Sequence, residues 1–376
     1  MVDHGRGPSR ARRRPPTGVL VRRWVALLGT AVVVAFGVRA ATGGGGPTAP
    51  TRAGTAATRA APTRAGTAAT GAHAPAEHLA VLLAPWHLGA PVSRAVVVPY
   101  GSGLAILGGL ATGDTSTSDI WTVDVANGST TRAGSLSSAV HDAAGAFVDH
   151  RAFVFGGGSY STVATVQAWS PRAASAVAAG SLPAPRSDLS ATVLAGRAYV
   201  VGGYDGAALE SSILETSDGV RFRQVGRLVQ PVRYGAVVAA AGDVWVVGGD
   251  TGAGQNSATS QTSDIQRFDP RTGRTVVVGH LPVTLGHASA VVLGGEIYVL
   301  GGRTGTALSS HMWRVNPKTG AVAAAGTLRY PRSDAGAVVL GGRAWLVGGE
   351  TTGPLAPLDS VLEVRLAPDA AAHVTA

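Results

Sequence analysis

The residues of this chain that can do chemistry recur at fixed offsets from Gly-Gly pairs. Six such pairs close apolar runs: LAILGG at Gly109, AFVFGG at Gly157, AYVVGG at Gly203, VWVVGG at Gly249, IYVLGG at Gly302 and AWLVGG at Gly349. Fourteen residues before the first glycine of each pair stand Arg94, Asp142, Asp188, Tyr234, His287 and Asp334. Just ahead of these come His141, Arg186, Arg233 and Arg332, with PRSD spelled out at both 185–188 and 331–334. Shortly after the pairs come Tyr204, Asp205, Asp250, Arg303 and Glu350. Guanidiniums recognise carboxylates and phosphates through paired hydrogen bonds, and carboxylates with imidazoles can move protons. The same residue types also serve as structural ties, so each is a ligand contact or a bond between repeats. The chain has no cysteine. That excludes disulfides, thiolate zinc sites, iron–sulfur clusters and cysteine nucleophiles.

What must position these residues is a β architecture. The pairs are spaced by 48, 46, 46, 53 and 47 residues. Three places before the first glycine stand Ala105, Phe153, Tyr199, Trp245, Tyr298 and Trp345. A period near 50 built from apolar β runs signals one small sheet per repeat. LPAPRSDLSATVLAGRAYVVGG (182–203) carries proline, arginine, apolar strand, turn, aromatic strand and diglycine in order. It resembles the Kelch-repeat family, and the resemblance runs through all six repeats over about 300 residues. It implies an all-β fold, a six-bladed β-propeller with one blade per repeat.

The outer strands follow from turn chemistry. Third strands are expected at 119–125, 165–170, 212–216, 264–270, 311–317 and 360–366. Asn127-Gly128, Asp218-Gly219, Thr272-Gly273 and Thr319-Gly320 then turn into fourth strands by supplying positive φ. The sixth repeat lacks its fourth strand. The stretch near 78–83 has the profile of one, and is expected to complete the last blade. Strand parity puts the d–a and b–c connections on one face, where the fifteen polar residues named above should ring the channel mouth. Arg186, Arg233 and Arg332 are expected to point toward that mouth and to suit an anionic group. The blade 4 loop TGAGQNSATS (251–260) is long and lies on the same face. His141 and His287 fall in opposite blades, which disfavours a shared metal ion, and no cofactor is expected.

The N-terminal quarter reads differently. Residues 1–23 form a basic leader, and the uncharged run Trp24–Val38 lies within a segment 24–41 with the pattern of an export signal. Positive charge before the run directs the rest of the chain outward. Two outcomes stay open, a retained membrane anchor or a signal peptide cut after Ala40. Residues 42–77 read as a disordered linker, with GGGG at 43–46 and PTRAGTAAT at both 50–58 and 62–70. The propeller then spans 78–376.

Charge bounds the partners. The chain carries +9, but residues 1–77 hold 11 arginines against Asp3 and Glu77, which is the whole excess. The remaining 20 Lys+Arg and 20 Asp+Glu cancel, so the globular part lacks the basic face that nucleic acid requires. The expected partner is a protein, peptide or glycan at the cell surface, met by a monomeric, non-catalytic, extracytoplasmic domain. The alternative is an enzyme. Copper radical oxidases resembling galactose oxidase need a cysteine and are excluded. Exported sialic-acid mutarotases are similar in fold, and ring opening asks only for an acid and a base. Their catalytic residues do not transfer position by position.

Overall fold

The computed structural model describes residues 77–254, 260–351 and 356–368. The leader, the apolar run and the linker lie outside these. Among the described residues no helix is long and apolar enough to cross a membrane. They form six four-stranded antiparallel sheets, arranged as blades around a central channel. Blade 3 is representative: strand a Ser190–Leu194, b Arg197–Val201, c Ser212–Thr216 and d Arg223–Arg227, in that spatial order.

Position in the blade dictates composition. The b strands lie between a and c and are covered by neighbouring blades on both faces, so they read as unbroken apolar runs. Gly103–Leu107 and Asp243–Val247 are buried throughout. The a strands converge on the axis and use small or β-branched residues, such as Ala236–Ala240 and Gly336–Leu340. The d strands form the rim and are half exposed. Arg132, Arg223 and Arg274 stand on them, the kind of charge that discourages edge-to-edge pairing.

The core lies between blades. Phe153 and Phe155 of blade 2 pack with Leu189, Val200 and Leu214 of blade 3. Phe153 lies so close to the blade 3 c–d turn that a Cβ on Gly219 would stand 2.4 Å from its ring. Burying each such side chain contributes roughly 1.5–3 kcal/mol. Trp245 and Trp345 fill the equivalent places farther round the ring.

The diglycine has a physical reason. In every blade the first glycine takes φ between +60° and +67° and the second between +90° and +114°. A Cβ on the first would meet a carbonyl of the next blade at 2.0–2.7 Å, namely those of Val140, Arg186, Val232, Leu285, Arg332 and Val92. The same six oxygens accept the N–H of the second glycine at 2.7–2.9 Å. The motif therefore welds each blade to the next.

The N-terminal strand closes the ring as the turn chemistry predicts. Glu77–Val92 is the outermost strand of the last blade, paired with Leu358–Pro368 from Glu77↔Pro368 to Leu83↔Leu362. It runs past the expected 78–83, through two irregularities, to Val92↔Leu358. The c–d turns need one correction. At Gly128, Gly273 and Gly320 only the glycine has positive φ. Its N–H donates to the carbonyl four residues back, of Asp124, Asp269 and Asn316. The side chains of those three residues cap the turn, so the signal is the Asp or Asn together with the glycine.

Candidate functional site

Arg94, Asp142, Asp188, Tyr234, His287 and Asp334 lie just ahead of the six inner strands. All six take left-handed backbone angles, with φ from +52° to +59°. Each donates its N–H to the carbonyl of its counterpart in the preceding blade, and Arg94 donates to Asp334, at 2.8–3.2 Å throughout. The result is a closed circle of six backbone hydrogen bonds around the axis. Left-handed conformations at residues other than glycine cost of order 1–3 kcal/mol each and persist where the surroundings impose them. Here they turn all six side chains onto one cavity of about 120 Å³.

A second ring lies outside the first. Ser93, His141, Ser187, Arg233, Gly286 and Ser333 pair with Leu110, Gly158, Tyr204, Asp250, Arg303 and Glu350. These bridges confirm that the d–a and b–c connections share a face. Leu110 and Gly158 leave blades 1 and 2 without a polar residue there, so the charged network concentrates on blades 3 to 6 and returns to Arg94.

That network is dense and buried. His287 Nδ1 bonds Asp334 Oδ1 at 2.6 Å, its Nε2 stands 3.4 Å from Asp250 Oδ2, and its ring stacks on Tyr234 at 3.8 Å. Burial alone pushes the imidazole down, but Asp334 and Asp250 outweigh it and raise His287 to about 9. Asp334, whose carboxyl burial would raise, is instead held far down by His287, Arg94 and Arg303. Arg303 Nη2 bonds Glu350 at 2.6 Å and Asp334 at 3.3 Å. Glu350 also accepts from Ser93 and Arg94 at 3.1 Å each. Burial and then Asp334 raise Glu350 against the pull of Arg94 and Arg303. Arg94 goes on to Asp142 at 3.2 Å, which also accepts the Tyr234 hydroxyl at 3.2 Å. Burial would lower Arg94, yet Asp142, Asp334, Tyr234 and Glu350 together raise it. Burial and then Asp142 raise Asp188 to about 6, against Arg233, Tyr234 and Arg94.

The remaining expected residues have other destinations. Arg186 and Arg332 do not reach the mouth. Arg186 is 2% exposed and donates to Gly202 O, Ser212 O and Ser212 Oγ, within its own blade. Arg332 is 1% exposed and binds Gly348 O, Ser360 O, Ser360 Oγ and the Tyr330 hydroxyl. The repeated PRSD arginine thus ties strands b and c of one blade, while its carbonyl takes the glycine of the blade before. Arg233 stands one place later and reaches Asp188 at 3.1 Å, Gly254 O at 3.1 Å and the Tyr204 ring at 5.2 Å. Asp205 is half-buried and caps its own turn through Ala207 and Ala208. Tyr204 donates to Gly206 O. His141 bonds Ser116 at 2.8 Å and stands 3.6 Å from Asp142.

Two contributors escaped sequence reasoning. Gly286 occupies the place of Arg233 or Ser333, and a Cβ there would stand 2.2 Å from Asp250 Oδ1. Its missing side chain is what lets Asp250 lean across to His287. Gln261, at the end of the long blade 4 loop, accepts Gly305 N–H at 2.8 Å and joins two b–c loops. The break in the Ser/Arg series at Gly286 was a visible signal, and the reach of Gln261 had none. Residues 255–259 of that loop lie outside the described residues. Among the described residues no three His, Asp or Glu side chains are grouped to hold a metal ion.

A circle of inner strands, diglycine welds and one repeat per blade define the class: this is a six-bladed β-propeller of the Kelch type. Residues 285–322 match the family model of the Kelch motif. A solved structure entitled "Structure of YjhT" superposes with a TM-score of 0.64 at 16% identity, over 75% of this chain and 99% of that one. At that identity the likeness concerns the fold. No curated protein matches the sequence.

Proposed function

We propose that the propeller is an extracytoplasmic recognition domain that binds a protein, peptide or glycan through the channel mouth on the d–a and b–c face. The observation that carries this is the concentration of ionised groups around one cavity. Burying charge is expensive, and a packed apolar core of the same volume is often as stable or more so. Six strained backbone positions and ten charged or imidazole side chains at one mouth are more than blade cohesion asks for, since the diglycine bonds already weld the blades. The leader and apolar run of residues 1–41 would carry the domain across the membrane as an anchor or a cleaved signal. The neutral charge balance beyond residue 77 supports a non-nucleic-acid partner.

A second reading, a sugar-active enzyme, is favoured by one feature. Asp188, raised to about 6, and His287, raised to about 9, line the same cavity and form an acid–base pair for ring opening. The cavity of about 120 Å³ is open to the face that carries the d–a and b–c loops, as a macromolecular partner requires. That favours binding. A glycan and peptide array, followed by sugar-anomer exchange monitored by NMR, separates the two. Binding that Asp142→Asn abolishes, without anomer exchange, is the expected result. Exchange catalysed above background would replace this reading with the enzyme.

A further inference from the structure

A second cavity opens on the face opposite the mouth, at the seam where the N-terminal strand closes the ring. It holds about 420 Å³, against about 120 Å³ at the mouth. Its walls come from Glu77–Val92, from the a–b and c–d turns of blade 1, and from the a–b turn and strands b and c of blade 6. Leu82, Leu83, Val125 and Leu340 make them largely apolar. Leu82 and Leu83 stay exposed at the rim. Trp345 lines the cavity from within, 5% exposed and stacked on Trp86 at 6.0 Å.

One row of side chains is left open there. Trp345 pairs in register with Glu363, and Glu363 with Leu82, so the three share a face of blade 6. The same row in blade 3 holds Tyr199 and Glu215, with Arg197 where blade 6 has Arg343. Blade 3 closes it: the Tyr199 hydroxyl donates to Glu215 Oε2 at 3.0 Å, and Arg197 donates to Oε1 at 2.9 Å. Blade 4 also satisfies its aromatic donor, since Trp245 Nε1 donates to Ala240 O at 3.1 Å. In blade 6, Trp345 Nε1 is buried without a hydrogen-bond partner, although Leu340, the counterpart of Ala240, lines the same cavity. Glu363 Oε1 has Arg343 at 3.1 Å and Arg365 at 3.6 Å, and neither is aligned as a hydrogen bond. A buried donor without an acceptor is costly, and a bound acceptor relieves it.

We propose that this cavity binds a peptide, one of whose backbone amides bridges Trp345 and Glu363 while an adjoining aliphatic side chain lies against Leu82, Leu83 and Leu340. An indole N–H only donates, and an ionised carboxylate only accepts. The group between them must therefore accept and donate at once, as the C=O and N–H of a secondary amide do. Arg343 and Glu363 pair with each other, so the group that meets them is neutral. A sugar hydroxyl would also serve both, but a sugar ring seeks an open aromatic face. Here Trp86 and Trp345 stack on each other and Trp345 is buried, while the walls offered are aliphatic. The volume is that of a pocket for a small ligand or a peptide side chain with its amide. The site lies across the ring from the mouth and does not depend on the reading of the mouth.

The test titrates the full-length chain with Nα-acetyl-leucine N-methylamide, Nα-acetyl-glycine N-methylamide, N-acetylglucosamine and isoamyl alcohol. Affinity and location are both read from the indole N–H resonance of Trp345, assigned by through-bond NMR. The leucine diamide should move that resonance downfield, as a new acceptor does, and bind about tenfold more tightly than the other three. Trp345→Phe keeps an aromatic ring and loses the donor, and should weaken binding about tenfold. Trp245→Phe, whose indole proton is held by Ala240 O, should leave affinity unchanged. Should Trp345→Phe fail to fold, the wild-type indole shift decides. N-acetylglucosamine binding as tightly with the same shift overturns the peptide in favour of a glycan. Isoamyl alcohol binding as tightly overturns the amide bridge. A Trp345 resonance that stays fixed with all four probes overturns the site, and leaves the outcome at the mouth untouched.

Discussion

His287 concentrates the residue-scale physics of the mouth. It is buried, stacked on Tyr234 and held between Asp334 and Asp250. Its folded pKa, about 9, lies above the ordinary 6.5. A raised pKa means that the charged form stabilises the fold below about pH 6.5, and that this contribution is lost as pH rises through 9. At about 1.4 kcal/mol per unit, the loss is on the order of 3 kcal/mol. The melting temperature should therefore drop between about pH 7.5 and about pH 10, and His287→Gln should lack that part of the drop. Scanning calorimetry of both proteins across this range decides it. A variant curve parallel to wild type through pH 9 would show that His287 is neutral in the fold. Gly286 belongs to the same device, since a side chain there would push Asp250 away from the imidazole.

At the scale of elements, one chemical type does two jobs according to its place. The arginine two residues ahead of the inner circle, Arg186 or Arg332, turns back to carbonyls of strands b and c in its own blade. Burial lowers the pKa of both, a cost offset by three or more hydrogen bonds each. Arginines at Arg94, Arg233 and Arg303 instead reach across to carboxylates of neighbouring blades. The closing strand is the element most open to test. Leu79 and Val81 pack against blades 5 and 6, and Val92 accepts the glycine bond that joins blade 6 to blade 1. Deleting residues 77–83 removes seven of the register pairs with the last strand. At roughly 2–4 °C per kcal/mol, a drop in melting temperature of about 10 °C is expected, with collisional or sedimentation size growing as the edge of Leu358–Pro368 is exposed. Unchanged thermal stability would show that closure does not depend on this strand.

At the scale of the whole molecule, basic charge and propeller are separate segments, which fits export of a neutral domain behind an arginine leader. A reporter that works only outside the cytoplasm, fused after Ala76, should be active, and activity of a cytoplasm-only reporter at that junction would sink the proposal. How much of this was legible depended on range. Blade count, strand placement, the closing strand and the shared face followed from sequence because each repeat writes its own strand–turn–strand pattern locally, and a period of about 50 residues shows how often. Fixed offsets from the diglycine likewise picked out the six residues of the inner circle. Their partners were not legible. Arg94 is bound by Glu350, 256 residues away, whereas Arg186, two places ahead of the inner circle, is bound by Ser212, 26 residues on. Ring closure alone brings the first and last blades together, and with them Glu350 and Asp334 to Arg94. Local patterning therefore determined the propeller and the inner circle of its mouth. The pairing of those side chains was decided only in the tertiary structure, because closure collects them from all six blades.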